Sequence, residues 1–174
     1  MIMIMPMNTP TTMTLSEGGA AQIQRREGLG VEYARTGKII AYLDSGVPAI
    51  GYGHRGDDVT INDVINRRAI TLEKAKRIFL KDAKRFEDAI RKGVKVPLTQ
   101  GQFDALLSLT YNIGTGNFQK STLLKKLNQG DYEGAARQFV AWRRSRGKVL
   151  PGLLKRRELE TKIFRGELRP EDAD

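Results

Sequence analysis

The chain has 174 residues, with 30 Lys and Arg against 20 Asp and Glu, one histidine and no cysteine. That length suffices for one compact domain burying roughly 70% of the surface its unfolded chain exposes, without covalent staples. The absence of cysteine excludes disulfides, thiolate nucleophiles and cysteine zinc sites, and a lone histidine excludes a multi-histidine metal centre; neither metal nor cofactor is expected. The net charge of +10 points to a polyanionic partner. Eleven basic residues against three acids lie between Arg137 and Arg169. Nucleic acid, anionic lipid and acidic wall peptides would all be drawn to such a patch, and charge does not choose among them.

Residues 1–14, beginning Met-Ile-Met-Ile-Met-Pro-Met, hold all five methionines and read as a flexible leader. The five residues before Pro6 are too few for a signal-peptide core. No later run reaches the roughly 20 apolar residues of a membrane span. A soluble protein made in the cytoplasm, with no stable membrane insertion, is expected. Ser16 caps a helix running to about Arg26, which Gly28 and Gly30 end. Residues 31–34, 38–43 and 47–53 alternate in polarity, separated by Arg35-Thr36-Gly37 and Asp44-Ser45-Gly46, and predict a small antiparallel sheet of three short strands. After His54 the pattern is helical. A short helix covers 60–69, and Thr71 caps a long one with Leu72, Ala75, Ile78, Phe79, Ala83, Phe86 and Ile90 on one face and Gly93 at its end. Thr99 and Gln102 have capping-box spacing ahead of an apolar helix that Gly114 closes. Helices follow at about 121–129, 131–142 and 151–165, and residues 168–174 form a polar tail. The fold class is α+β, mostly helical.

Gly51-Tyr52-Gly53-His54 lacks the Lys-Ser/Thr of a phosphate loop, so nucleotide chemistry is poorly represented. Carboxylates are plentiful, and a pair of them is what glycoside hydrolysis needs, one to donate a proton and one to stay ionised. Glu27, at a helix end before a glycine-rich turn, suits the first role, and Asp44, at a hairpin turn, suits the second. Taken alone, each is equally a solvated helix-end or turn residue, and composition does not single them out.

Glu27-Gly28-Leu29, then Ala41-Tyr42-Leu43-Asp44, then Ile50-Gly51-Tyr52-Gly53-His54 resemble the signature of phage-type lysozymes, the endolysins. Pro97-Leu98-Thr99 with Gln102-Phe103-Asp104-Ala105-Leu106, Asn112-Ile113-Gly114, Trp142 and Val149-Leu150-Pro151-Gly152-Leu153 through Arg156-Arg157 and Glu160 extend the resemblance from about residue 15 to 166. It implies a two-lobed fold, with a β-lobe at about 28–56 and a helical lobe at about 60–167. A long helix starting near Thr71 joins them, and a cleft lies between. It also implies a muramidase cutting the β-1,4 bond between N-acetylmuramic acid and N-acetylglucosamine of peptidoglycan by an inverting route. Glu27 and Asp44 stand at the catalytic Glu and Asp. Tyr52, His54, Gln102, Asn112 and Arg156 stand near the substrate, with His54 chiefly a structural link. Arg156 or Arg157 is expected beside Glu27, and Trp142 in the core. The partners implied are peptidoglycan and the anionic bacterial surface, met by a monomer that binds no nucleic acid and leaves the host cytoplasm through a separate pore-forming protein.

Two departures from the family pattern stand out. The Glu27–Asp44 interval is longer than the family's, the surplus being Val31 to Ile40, read as an extra hairpin; Glu32 is then the alternative acid. The family threonine before Ile50, whose hydroxyl helps hold the attacking water, is Ala49 here, leaving Ser45, His54 or a bound water as substitutes. Three other readings stand beside this one: a lysozyme-like wall-binding or virion protein with impaired catalysis, a glycosidase of chitin or chitosan, and a cationic nucleic-acid-binding module.

Overall fold

The computed structural model describes residues 6–174. Two compact units make up the chain, Ile23–Lys84 and Met1–Gln22 with Arg85–Asp174. The helices α1 (Glu17–Glu27) and α4 (Leu72–Gly93) each run through a boundary between them. The α+β class holds, with a helical majority and three two-stranded antiparallel ladders among the described residues.

In the unit Ile23–Lys84, Gly28 ends α1 and a short helix α2 (Val31–Thr36) follows. This overturns the strand and hairpin expected at 31–40. The alternation Val-Glu-Tyr-Ala is too short to separate the two periods. The i,i+3 pair Glu32–Arg35 at 2.7 Å and the left-handed cap at Gly37, whose N–H bonds the Tyr33 carbonyl, favour helix. Strands β1 (Ile39–Ile40), β2 (Tyr42–Asp44) and β3 (Val47–Ala49) then appear, but not as one three-stranded sheet. β2 pairs with β3 through a two-residue turn at Ser45-Gly46, both at positive φ, as tight hairpins prefer. β1 pairs instead with β4 (Ala69–Ile70), a strand missed in the sequence, after the capped helix α3 (Ile61–Ile65). Ala41, Ile50 and Val59 form the local core, with Val64 and Ile70 packed on it. Residues 50–54 are a turn rather than the end of a strand, closed by reciprocal Ile50–His54 backbone bonds of 3.0 Å. Thr71 caps α4 through its hydroxyl to the Lys74 N–H, 3.1 Å away.

The second unit is built on α5 (Gln100–Ile113), opened by the expected Thr99–Gln102 capping box. Phe103, Leu106, Leu107 and Leu109 of α5 are fully buried. Around it lie α6 (Thr115–Gln119), α7 (Thr122–Asn128), α8 (Tyr132–Gln138), a hairpin of β5 (Arg144–Ser145) and β6 (Lys148–Val149), and α9 (Pro151–Phe164). The short α6 and the β5–β6 hairpin were not expected. The rings of Phe139 and Phe164, both buried, meet tilted at 55° with centroids 5.4 Å apart.

Within the expected leader, residues 1–5 lie outside the described residues, but 8–14 are docked. Asn8 pairs with Leu98 through backbone bonds of 2.7 and 2.9 Å, Arg91 donates to the Met13 carbonyl, and Met13 is buried. A methionine therefore does enter the core. The polar tail is docked too, by the buried Ala173 after a 3-10 turn at Pro170–Asp172.

α9 is secured to α5 by a buried polar cluster. Glu160, fully shielded, accepts from Ser108 Oγ at 2.7 Å and from Arg156 Nε at 3.3 Å, and pairs with Arg157. Arg157, also 0% exposed, donates further to Asn112 and to the Trp142 carbonyl. Half of such a pair left behind is costly because its charge stays out of water. Glu160→Ala should lower unfolding stability by about 3–5 kcal/mol in urea denaturation; a loss below about 1 kcal/mol would mean that water reaches Arg157.

Candidate active site

Glu27 is the last residue of α1, and its carboxylate meets the turn after β3. A Cβ built on Gly53 would lie 3.0 Å from Glu27 Oε2, and Gly53 has φ +77°. Only glycine permits both the left-handed backbone and this close approach. Glu27 Oε1 is buried from solvent. Gly30 plays a similar part on the other side, since a Cβ there would stand 3.1 Å from the Tyr42 ring.

Side chains alternate along a strand, and residues opposite one another share a face. The register Tyr42↔Ala49 and Asp44↔Val47 therefore puts Tyr42, Asp44 and Ala49 on one face, with Leu43 and Pro48 on the other. Asp44 is half-exposed and ion-paired with Arg55. Tyr42 lies within the fields of both carboxylates. Burial first, then the charges of Asp44 and Glu27, push its phenol above the ordinary value, against Arg55 and a backbone hydrogen bond from Gly53. Glu27, Tyr42, Asp44 and Gly53 thus lie within one unit, with Tyr42 in reach of both carboxylates. Tyr42 stood in the quoted motif but drew no role there; the signal was its position two residues before Asp44.

Glu32 is not arranged as a proton donor. It accepts from Arg35 at 2.7 Å and pairs with Arg67 at 3.2 Å. The Arg35 hydrogen bond, outweighing desolvation and aided by the charges of Arg35 and Arg67, holds its carboxyl below the ordinary value. α2 instead walls a groove of about 400 Å³ bordered by Gly30, Glu32, Tyr42, Val64 and Arg67.

The other residues expected near substrate each make contacts within the fold. Tyr52 is buried edge-on against Phe79, with ring centroids 5.8 Å apart, and burial raises its phenol. His54 bonds Asp82 of α4 through Nδ1 at 2.7 Å and Asp58 through Nε2 at 3.0 Å. Both nitrogens are occupied, which removes His54 as a substitute for the missing hydroxyl. In the second unit Gln102 closes the α5 capping box, and Asn112 accepts from Arg157. Arg156 reaches Glu160 and the Ser108 carbonyl. Trp142 is half-buried, its carbonyl taken by Arg157. No group of three or more potential metal ligands occurs among the described residues.

A family model described as phage lysozyme matches residues 35–160. The chain belongs to the phage lysozyme family. Asp44 lies within the matched span and Glu27 just ahead of it. The endolysin of Bacillus phage B103 is 42% identical over 87% of this chain, although the chain spans only 54% of that endolysin's length. The solved endolysin of Escherichia coli O157:H7 phage FAHEc1 superposes with a TM-score of 0.75 at 37% identity, over 91% of this chain and 98% of that one. The muramidase domain of SpmX from Asticaccaulis excentricus gives a TM-score of 0.72 at 31% identity, over 87% of this chain and 97% of that domain.

Burial pulls the His54 pKa down, but the hydrogen bonds and charges of Asp58 and Asp82 outweigh it, and the net shift is above the ordinary 6.5. A raised folded pKa means that protonation favours the folded state. The stabilisation is complete below 6.5 and fades as pH rises through the higher folded value. Asp82→Asn should therefore destabilise most at about pH 5.5 and least at about pH 9, in denaturant titrations at both. An equal loss at both would show that the charge on His54 contributes nothing.

Proposed function

We propose that this chain is a muramidase that hydrolyses the β-1,4 bond between N-acetylmuramic acid and N-acetylglucosamine of peptidoglycan and so lyses the bacterial host. The observation that carries this reading is the convergence of Glu27 and Asp44 on Tyr42, with Glu27 seated in the space that Gly53 leaves open. Glu27 protonates the leaving glycosidic oxygen. Asp44, charge-paired with Arg55, accepts a proton from the water that attacks the anomeric carbon from the opposite face. Family membership and the muramidase domain among its structural neighbours support this reading over a nucleic-acid-binding module. Delivery to the wall is through a pore made by another protein, as the sequence resemblance implies. Glu27→Gln keeps the shape and removes the proton, so turnover of purified peptidoglycan should fall by about a hundredfold or more. Glu32→Gln should cost little. The reverse order would move the acid to Glu32, and a wild-type chain without turnover would favour the catalytically impaired reading.

The second element of the proposal is attraction to anionic surface. Part of the C-terminal positive charge is offset by acids: Glu160 pairs with Arg156 and Arg157, Glu133 with Arg137 and Arg165, and Asp172 with Arg169. The β5–β6 hairpin exposes Arg144 and Lys148, and residues 144–149 include no acid. Exposed charges act over about 8 Å at physiological salt. Arg144→Gln with Lys148→Gln should reduce lysis of intact walls chiefly at low salt and leave cleavage of short soluble glycans unchanged. Equal losses on both substrates would mean that the hairpin shapes the site and does not concentrate the enzyme on the wall.

A further inference from the structure

Tyr42 has no part in the two-carboxylate scheme, yet the fold places it with care. Its ring closes over Gly30, where a side chain would collide with it. Its strand partner is Ala49, fully buried and without polar atoms, so no hydroxyl faces it across the ladder. Asp44 follows two residues later on the same face, and Gly53, whose backbone acts on the phenol, is the residue against which Glu27 Oε2 rests.

A phenol has one proton to give and lone pairs to accept with. Tyr42 keeps that proton, because a negative phenolate beside two carboxylates is disfavoured, in keeping with the upward direction found for this group. The face it shares with Asp44 is where a hydrolytic water has to be held: such a water needs an acceptor for its proton and a donor that fixes its oxygen. Asp44 is the acceptor. The turn hydroxyl of Ser45 is exposed, 3.5 Å from Asp44 Oδ1, and belongs to the residue after the strand, off this face.

We infer that Tyr42 is the positioning residue of the hydrolytic water, its hydroxyl donating to the water oxygen while Asp44 accepts the water's proton. One lone pair of the water accepts from Tyr42 and another forms the new bond to the anomeric carbon. The glycosidic C–O bond breaks as its oxygen takes the Glu27 proton, and one water proton ends on Asp44. Tyr42 keeps its own proton throughout. The residue therefore fills the place that Ala49 leaves without a hydroxyl.

This inference rests on the reading of Glu27 and Asp44 as the catalytic pair. Tyr42→Phe keeps the ring over Gly30 and removes only the hydroxyl. On a defined soluble glycan, kcat should fall about tenfold, the scale of one positioned hydrogen bond, with KM within about twofold and the thermal midpoint unchanged. Adding Ala49→Ser to the Tyr42→Phe variant should recover several-fold of the lost kcat, because a hydroxyl then reaches the same face from the facing strand. An unchanged kcat would overturn the inference. So would a loss expressed in KM or in the midpoint, or one that Ala49→Ser does not recover. Glu27→Gln assayed alongside separates the two levels. If it is inactive while Tyr42→Phe is unaffected, only the role of Tyr42 falls; if it is active, both fall.

Discussion

The site depends on a carboxylate meeting a backbone with no side chain in between. Glu27 ends α1 and can place its oxygen where it does only because residue 53 lacks a Cβ and can adopt positive φ. That requirement passes along the chain. The turn carrying Gly53 has to stay where it is, and the reciprocal Ile50–His54 bonds close it. His54 then fastens the turn to α4 through Asp82 and to the loop at Asp58. A single imidazole between two carboxylates thus fixes a turn whose backbone in turn admits the acid. The lone histidine of the chain is spent on geometry.

Three carboxylates lie close in sequence, and their neighbours give them different work. Glu32 is clasped by two guanidiniums, which favour the ion and leave no proton to give at neutral pH. Asp44 has one guanidinium and remains half-exposed, a setting for a carboxylate that must be charged and reach water. Glu27 is set against the backbone, with one oxygen shielded from solvent. The segment that made Glu32 a candidate also sets Arg35, one turn away, against its carboxylate.

Much of this was legible in the residues themselves. The capping signals at Ser16, Thr71 and Thr99 each mark a helix start, because a hydroxyl or capping box leaves a local pattern that packing does not override. The Asp44-Ser45-Gly46 turn is equally local. What escaped was decided by contacts distant in sequence. β1 turns to the distant β4, in the register Ile39↔Ile70, and not to its neighbour. The leader docks on Leu98 and Arg91, whose availability no local pattern announces. At α2, four alternating residues fit either period, and a glycine read as a hairpin turn serves as a helix cap. At the candidate site, Glu27 and Asp44 could be nominated but not Tyr42, because its place comes from register with Ala49 and from the space at Gly30, neither of which is a spacing in the sequence.

Charge followed the same logic. A count of basic residues predicts a strongly positive C-terminal region, but a count does not distinguish a guanidinium in water from one in the core. Arg157 is wholly buried and has Glu160, Asn112 and a backbone carbonyl around it; its charge holds α9 to α5 and projects little field outward. Glu133 and Asp172 likewise each hold a guanidinium close, so a count of basic residues overstates the charge left in water. In the β5–β6 hairpin a non-glycine residue, Arg146, takes a positive φ at the tip. A turn of this kind normally draws glycine or asparagine, so an arginine there sacrifices some local stability.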